Sequence, residues 1–457
     1  MVHPVANGDP ADDPSPAELI AARPHLRLHA MDGLLMEGVA LNRIADVVGT
    51  PTWVYSAGAM RTRYRRLIEA MRRAGLEVHP HYAVKANDHL AVLALFAQEG
   101  AGADVVSEGE LRKARHAGIP ARRIVFSGVG KSPRELRLAL AEDIGQINVE
   151  SAEELEMLSA LAAAEGRIAR VALRVNPDID AGTHAKISTG RSHDKFGIPF
   201  DEAAALYARA AALPGIRPVG LAVHIGSQIL SLAPYRDAFG RLAELVRTLR
   251  QQGLPVDSVD CGGGLGIPYR NEPAPGIDAL AGAIRGVFHN LDLRLAVEPG
   301  RWLVGPAGVL LASVVLAKQT PSTRFVVLDA AMNDLVRPAM YDAWHGIVPV
   351  SAADAMAPLS PADIVGPVCE TGDTFARSRL LPPLAPNARV AILDAGAYGA
   401  VMSSAYNARP HAAEVMVDGD DWAVIRERQS LAGLWSQERV PQMPGTPVKQ
   451  TPPSSAA

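Results

Sequence analysis

The sequence has little cysteine, little lysine and no long apolar run. Cys261 and Cys369 are the only thiols in 457 residues, and no Cys-x-x-Cys or Cys/His ligand spacing occurs. That excludes a disulfide framework and a cysteine-based metal centre, and it fits a reducing cytoplasm. No metal is expected. No uninterrupted apolar stretch approaches the roughly 18 residues of a spanning helix, so no membrane partner is expected. The start, MVHPVANGDPADDPSP, lacks the basic and apolar regions of a secretory signal. A formal net charge of -4 gives no reason to expect nucleic acid as a partner. Seven lysines stand against thirty-eight arginines, so each lysine in an ordered-looking context merits inspection.

What is present is a regular alternation. Strand-like runs at 78–85, 103–106, 124–126, 146–149, 170–175, 218–225, 256–261 and 293–297 are separated by segments of helical periodicity. Ser107 with Glu110, Ser132 with Glu135 and Ser151 with Glu154 read as capping boxes, and Pro133 suits a first helical position. Eight such units predict an α/β fold, a (β/α)8 TIM-type barrel, over residues 56–304. The alternative is an open doubly wound sheet. From 305 to 440 strands follow one another without long helices, ending in a hairpin around Asp418-Gly419-Asp420. This predicts an all-β domain. It is discontinuous if the apolar runs of 26–55 join it. Residues 1–25 and 441–457, rich in Pro, Ala and Ser, are expected to be a mobile and a disordered tail.

Barrel chemistry sits at the carboxyl ends of the strands. Lys85 ends the first strand, with Asn87 and Asp88 following as candidate caps of the next helix. It is either a lysine snorkelling from a strand end or an amine kept neutral by apolar neighbours, which forms Schiff bases. The loops after the seventh and eighth strands carry Gly262, Gly263, Gly264 and Gly300-Arg301. Glycines admit phosphate oxygens to backbone N–H groups, and arginine adds a charged fork. A lysine facing a phosphate site suggests pyridoxal 5'-phosphate (PLP). Glu298 is then an ionised partner for the pyridine nitrogen, unless it pairs with Arg301 or Arg174. His224 could stack on a flat ring, and Ser227 could donate to phosphate. Cys261 reads as a buried small hydrophobe. The long polar loop 176–200, with Gly182, His184, Gly190, His193 and Lys195, is expected to cover the site.

These residues resemble the PLP-dependent decarboxylases with an alanine-racemase-like barrel, and among them the diaminopimelate decarboxylases. The resemblance runs from about Trp53 to Arg428. It rests on YAVKAN (82–87), HIGSQ (224–228), GGGLGIPY (262–269) and EPGR (298–301), and on MNDLVRPAMYDAWH (332–345), CETGD (369–373) and DAGAYGAVMSSAYN (394–407). It implies that Lys85 carries PLP, His224 stacks on it, and Glu298 meets the ring nitrogen. Ser227, Gly262, Gly263, Gly264, Gly300 and Arg301 hold the phosphate or line the site. Arg301, Arg337, Tyr341, Glu370 and Tyr398 surround the substrate, with Tyr398 also near the cofactor, and Cys369 donates a proton. The implied reaction converts meso-2,6-diaminopimelate to L-lysine and CO₂, the last step of bacterial lysine synthesis. A homodimer with shared active sites is implied, Cys369 and Glu370 reaching into the partner. Rivals are decarboxylation of ornithine, arginine or a carboxylated polyamine, an alanine-racemase-like activity, and a non-catalytic PLP-binding protein.

Overall fold

A computed structural model describes residues 13–182, 184, 186, 189–191, 194–270 and 272–441. Eight parallel strands form a closed ring: Val78–Ala83, Gly102–Val105, Ile124–Phe126, Gln146–Val149, Ala169–Asn176, Ile216–Ala222, Ser258–Asp260 and Arg294–Val297. Each pairs with the next in sequence, and the last pairs back to the first through Leu295↔Val78. The barrel is thus the expected one, and the open-sheet alternative is excluded. Its strands are short and mostly buried on both faces, as parallel strands covered by helices must be.

The helix starts follow the sequence with one adjustment. Ser132 and Glu135 form a reciprocal capping box with Pro133 at the first position. At Ser107 and Ser151 the serine accepts as expected, from Glu110 and Glu154 N–H. The two glutamates, however, reach one residue further back, to Val106 N–H at 2.8 Å and Glu150 N–H at 3.0 Å. They therefore pin the strand-to-helix turn itself rather than the cap.

The all-β part is discontinuous. Thr52–Ser56 runs antiparallel to the start of Gly308–Gln319 and parallel to Ala413–Asp418. The strand entering the barrel is therefore hydrogen-bonded to two strands that follow it. Leu26–His29, Gly33–Met36 and Val39–Ala40 do not join that sheet. They make a small antiparallel sheet of their own, packed with the helix Leu41–Val48 against Val54, Val309, Val348 and Val415. The terminal hairpin turns at Gly419-Asp420, with Asp418 opposite Asp421 and Gly419 at φ +65°. Strands Arg324–Leu328, Ile347–Pro349, Ser360–Val365, Thr374–Leu381 and Arg389–Ile392 fill the interval between Gly308–Gln319 and the terminal hairpin.

The N-terminal tail is shorter than the sequence suggests. Residues 1–12 lie outside the described residues, as do 442–457 of the C-terminal tail. From Asp13 onward the chain is packed. Ser15 and Glu18 cap the helix Pro16–Ala21 with a full capping box, and Leu19 and Ile20 are buried. Arg23 pairs with Asp394 in the β domain, both buried. Asp13 pairs with Arg270 and, at 3.1 Å, with Arg379. Leu19 is 2% exposed, so Leu19→Ala should cost about 3 kcal/mol of unfolding free energy. Chemical denaturation reads this, and no change would mean that the segment is detached in solution.

Candidate active site

The first barrel strand ends at Ala83, and a single 3-10 turn, Val84–Ala86, follows. Val84 and Ala86 are buried, while Lys85 opens onto a cavity of about 1060 Å³ at the carboxyl end of the barrel. The turn is fixed from both sides. Tyr82 Oη donates to the Asn87 carbonyl at 2.9 Å, and Tyr398 N–H donates to the Ala86 carbonyl at 2.8 Å. Neither Asn87 nor Asp88 caps the next helix, contrary to expectation. His89 does, its Nδ1 accepting from Ala91 N–H at 3.0 Å. Asn87 Oδ1 accepts from His89 N–H, and Asp88 pairs with Lys113.

Lys85 is not an amine kept neutral by apolar neighbours. Its Nζ makes an ion pair with Asp104, a fully buried carboxylate at the end of the second strand. Burial alone would depress the amine's pKa, but Asp104, then Glu298 and Tyr398, outweigh it and raise it. The ligand-free protein therefore holds Lys85 as an ammonium.

Glu298 follows the eighth strand and is 6% exposed. It does not pair with Arg174 or Arg301. Arg174 takes Glu150 at 2.8 Å, and Arg301 donates to Tyr269 Oη at 2.7 Å and Ser227 Oγ at 2.9 Å. Burial, then the neighbouring charges of Asp104 and Asp260, push the Glu298 pKa well above the carboxylate range, against the opposing pull of Lys85 and Arg174. His224 Nδ1 lies 3.9 Å from Glu298 Oε2. This is no ion pair, because burial, Arg174 and Lys85 keep the imidazole well below its usual pKa and hence neutral. Beneath them lies Asp260, raised to about 6 by burial. Asp104 Oδ1 and Asp260 Oδ2 are buried without a hydrogen-bond partner among the described residues.

Of the expected site residues, Lys85, His224, Ser227, Glu298, Arg301, Arg337, Tyr341 and Tyr398 line this cavity. Gly262, Gly263, Gly264 and Gly300 do not; they line a recess of about 20 Å³ behind it. Their role in the structure is close backbone packing. A Cβ at Gly262 would stand 2.1 Å from the Val223 carbonyl oxygen, and one at Gly264, where φ is +96°, 2.3 Å from that of Gly226. At Gly300 a Cβ would meet Ala83, just before the lysine turn, and Ala86, its last residue, each at 3.1 Å. Gly263 N–H is directed to His224 Nδ1 at 3.3 Å, which orients the imidazole. Of loop 176–200, Gly182, His184, Thr189 and Phe196 line the cavity, and Lys186 Nζ donates to the Met340 carbonyl at 2.9 Å. His193 lies outside the described residues.

Cys369 and Glu370 stand apart from the cavity in an exposed loop. Cys369 Sγ accepts from Asn407 Nδ2 at 3.4 Å, and Glu370 accepts from Tyr406 Oη. The loop is shaped by Asp373, whose carboxylate accepts from Met332 N–H and Val368 N–H, each at 2.7 Å.

The residues fit a PLP-like group. They present a lysine amine, a neutral flat imidazole, a buried carboxyl in need of a cation, and an arginine whose Nε is buried with no partner among the described residues. A buried donor left unpaired costs about 1–3 kcal/mol, which an anionic ligand would recover. Sequence reasoning missed Asp104 and Asp260. Each is a lone acid in a short barrel strand, GADV and SVD, and that signal was available.

Residues 58–305 match the family model described as pyridoxal-dependent decarboxylase, pyridoxal binding domain. The chain is 49% identical to a curated diaminopimelate decarboxylase of Zymomonas mobilis, over 89% of this chain and 96% of the relative. A crystal structure of diaminopimelate decarboxylase from Helicobacter pylori complexed with L-lysine is similar at 39% identity and TM-score 0.83, covering 86% of this chain and 98% of that one. One from M. jannaschii in co-complex with L-lysine matches at 35% identity and TM-score 0.87, covering 92% and 98%.

The Lys85–Asp104 pair makes a direct prediction. Asp104→Asn should lower the Lys85 pKa, and each unit raises the free-amine fraction at pH 8 about tenfold. Lys85 in ligand-free protein should then react faster with an amine-acylating reagent, followed by peptide mass spectrometry. An unchanged rate would show that Asp104 does not set the amine's charge.

Proposed function

The chain belongs to the diaminopimelate decarboxylases, within the pyridoxal-dependent decarboxylase family, and from that premise we propose that it decarboxylates meso-2,6-diaminopimelate at its D-centre to give L-lysine and CO₂. The observation that carries the reading is the pairing of a half-buried lysine at one side of the cavity with a buried arginine, Arg337, at the other, which has no acidic partner among the described residues.

Lys85 would hold the cofactor's aldehyde end, Glu298 its ring nitrogen and His224 one face of its ring. Ser227 and Arg301, which line the cavity, would serve its phosphate, and Tyr398 its edge. When bound, pyridoxal phosphate supplies an electron sink for the pair released as the carboxylate's C–C bond breaks. Lys85 must lose a proton before it can bond to a carbonyl carbon, and Asp104, in contact with its Nζ, is the base at hand. A cation beside Glu298 lowers that carboxyl's pKa and lets it ionise against the pull of burial. His224, neutral and held by Gly263 N–H, adds a flat uncharged surface that brings no competing positive charge.

The substrate's distal, L-configured end carries a carboxylate and an ammonium. Arg337 suits the carboxylate, and Tyr341 and Arg301 line the same wall. Ornithine has no distal carboxylate and would leave Arg337 desolvated and unpaired. Cys369 and Glu370 cannot serve the cavity of their own chain from their exposed loop. Their exposure outside that cavity supports a role in the site of a second copy, Glu370 receiving the distal ammonium and Cys369 returning a proton to the reacting carbon. The working unit on this reading is a homodimer.

Purified protein with added PLP should release lysine from meso-diaminopimelate and form no product from L-ornithine or L-arginine. Lys85→Ala should abolish release, and turnover of ornithine or arginine instead would overturn the substrate. The dimer is tested by mixing. Lys85→Ala and Cys369→Ala, each nearly inactive, should regain about a quarter of wild-type activity after subunit exchange, because one site in each mixed dimer is intact. No regain would place both residues in a site made by one chain.

A further inference from the structure

The wall that faces the distal carboxylate is itself held by one histidine. Arg337 opens the helix Arg337–Tyr341 and is 5% exposed. No acidic side chain pairs with it among the described residues. Its guanidinium lies 4.8 Å above the Tyr269 ring, and its Nη1 meets His345 Nε2 at 2.7 Å. A guanidinium can only donate, so Nε2 must accept and the imidazole proton must sit on Nδ1. Nδ1 lies 2.7 Å from the Leu393 carbonyl oxygen, which can only accept. The two contacts demand the same tautomer. A protonated ring would turn an N–H toward the guanidinium, and burial and Arg337 keep the His345 pKa well below its usual value. His345 therefore takes one Arg337 donor without cancelling its charge. An acid in its place would neutralise the arginine and compete with an anionic ligand.

The histidine is anchored in turn. Tyr269 packs edge-on against it, with centroids 5.2 Å apart, while the Tyr269 hydroxyl accepts from Arg301. Arg379 Nη1 donates to the His345 carbonyl at 2.8 Å, and Arg379 is paired with Asp13 of the N-terminal segment. Asp394, next after Leu393, is paired with Arg23 of the same segment. Both ends of the relay thus rest on residues 13–23.

We propose that His345 is a positioning residue that sets specificity for a substrate with a distal carboxylate, by holding Arg337 charged and aimed into the cavity. This rests on the reading of Arg337 given above. It is tested at equilibrium with two ligands, L-lysine, which keeps the distal carboxylate, and cadaverine, which has none. His345→Asn can keep the donor to Leu393 and loses the acceptor for Arg337. His345→Gln can place its carbonyl oxygen where Nε2 stands. Calorimetry on PLP-loaded protein should show His345→Asn binding L-lysine about tenfold more weakly with cadaverine unchanged, a loss of the size expected for one charge-assisted bond. His345→Gln should recover most of that loss. In turnover, His345→Asn should raise KM for meso-diaminopimelate far more than it lowers kcat. A His345→Asn protein with the wild-type ratio of the two affinities overturns the inference. So does equal loss of both ligands in both variants, which marks a merely structural role. A wild-type protein that does not prefer L-lysine over cadaverine overturns the reading of Arg337 instead, and this inference with it.

Discussion

The structure depends on keeping charge in the mouth of a barrel whose walls are apolar. Asp104, Asp260 and Glu298 converge there, each nearly inaccessible. Three buried carboxylates cannot all ionise beside one ammonium. Lys85 balances one, the Asp260 and Glu298 pKa values rise, and the net charge of the cluster is kept small. The site is thus built with a deficit of positive charge at Glu298. A ligand cation there would relieve it.

The β domain supplies the opposite wall and fixes the lysine turn. Tyr398 does both, donating its backbone N–H to Ala86 while its ring lies 4.7 Å from the Arg301 guanidinium. Arginine is used here wherever a charge must be held without a counter-ion, over an aromatic face or against a neutral acceptor. Arg337 over Tyr269 repeats the device. This explains part of the heavy use of arginine over lysine.

Much of this was legible because barrel strands expose their carboxyl ends to the site. Lys85, His224 and Glu298 could be placed by that rule alone. The barrel's alternation was equally plain, since every strand is bracketed by helical periodicity. The failures have separate causes. Asp104 and Asp260 were passed over because single acids in short strands resemble strand ends. The helix at Pro16 was hidden by composition, although Ser15-Pro16-Ala17-Glu18 carries the same capping signature as Ser132-Pro133-Arg134-Glu135, which was recognised. Strand Thr374–Leu381 has no clean alternation, because Phe375 and Ala376 are buried side by side before Arg379 and Leu381 resume a two-residue period. Charge states were the least legible. They depend on which elements a closed barrel brings together, and Lys85 and Asp104 come from different strands.

The pairing of Thr52–Ser56 has a consequence for biosynthesis. Its edges are filled by Gly308–Leu311 and by Ala413–Val417, so its second partner emerges some 361 residues later, 413 less 52. At an elongation rate of about 5–20 residues per second, the strand waits on the order of tens of seconds with an open edge. Trp53, Val54 and Tyr55, all buried in the finished protein, are uncovered for that time. The nascent chain therefore carries an exposed apolar strand through nearly its whole translation, which is a natural point for a ribosome-bound chaperone to act.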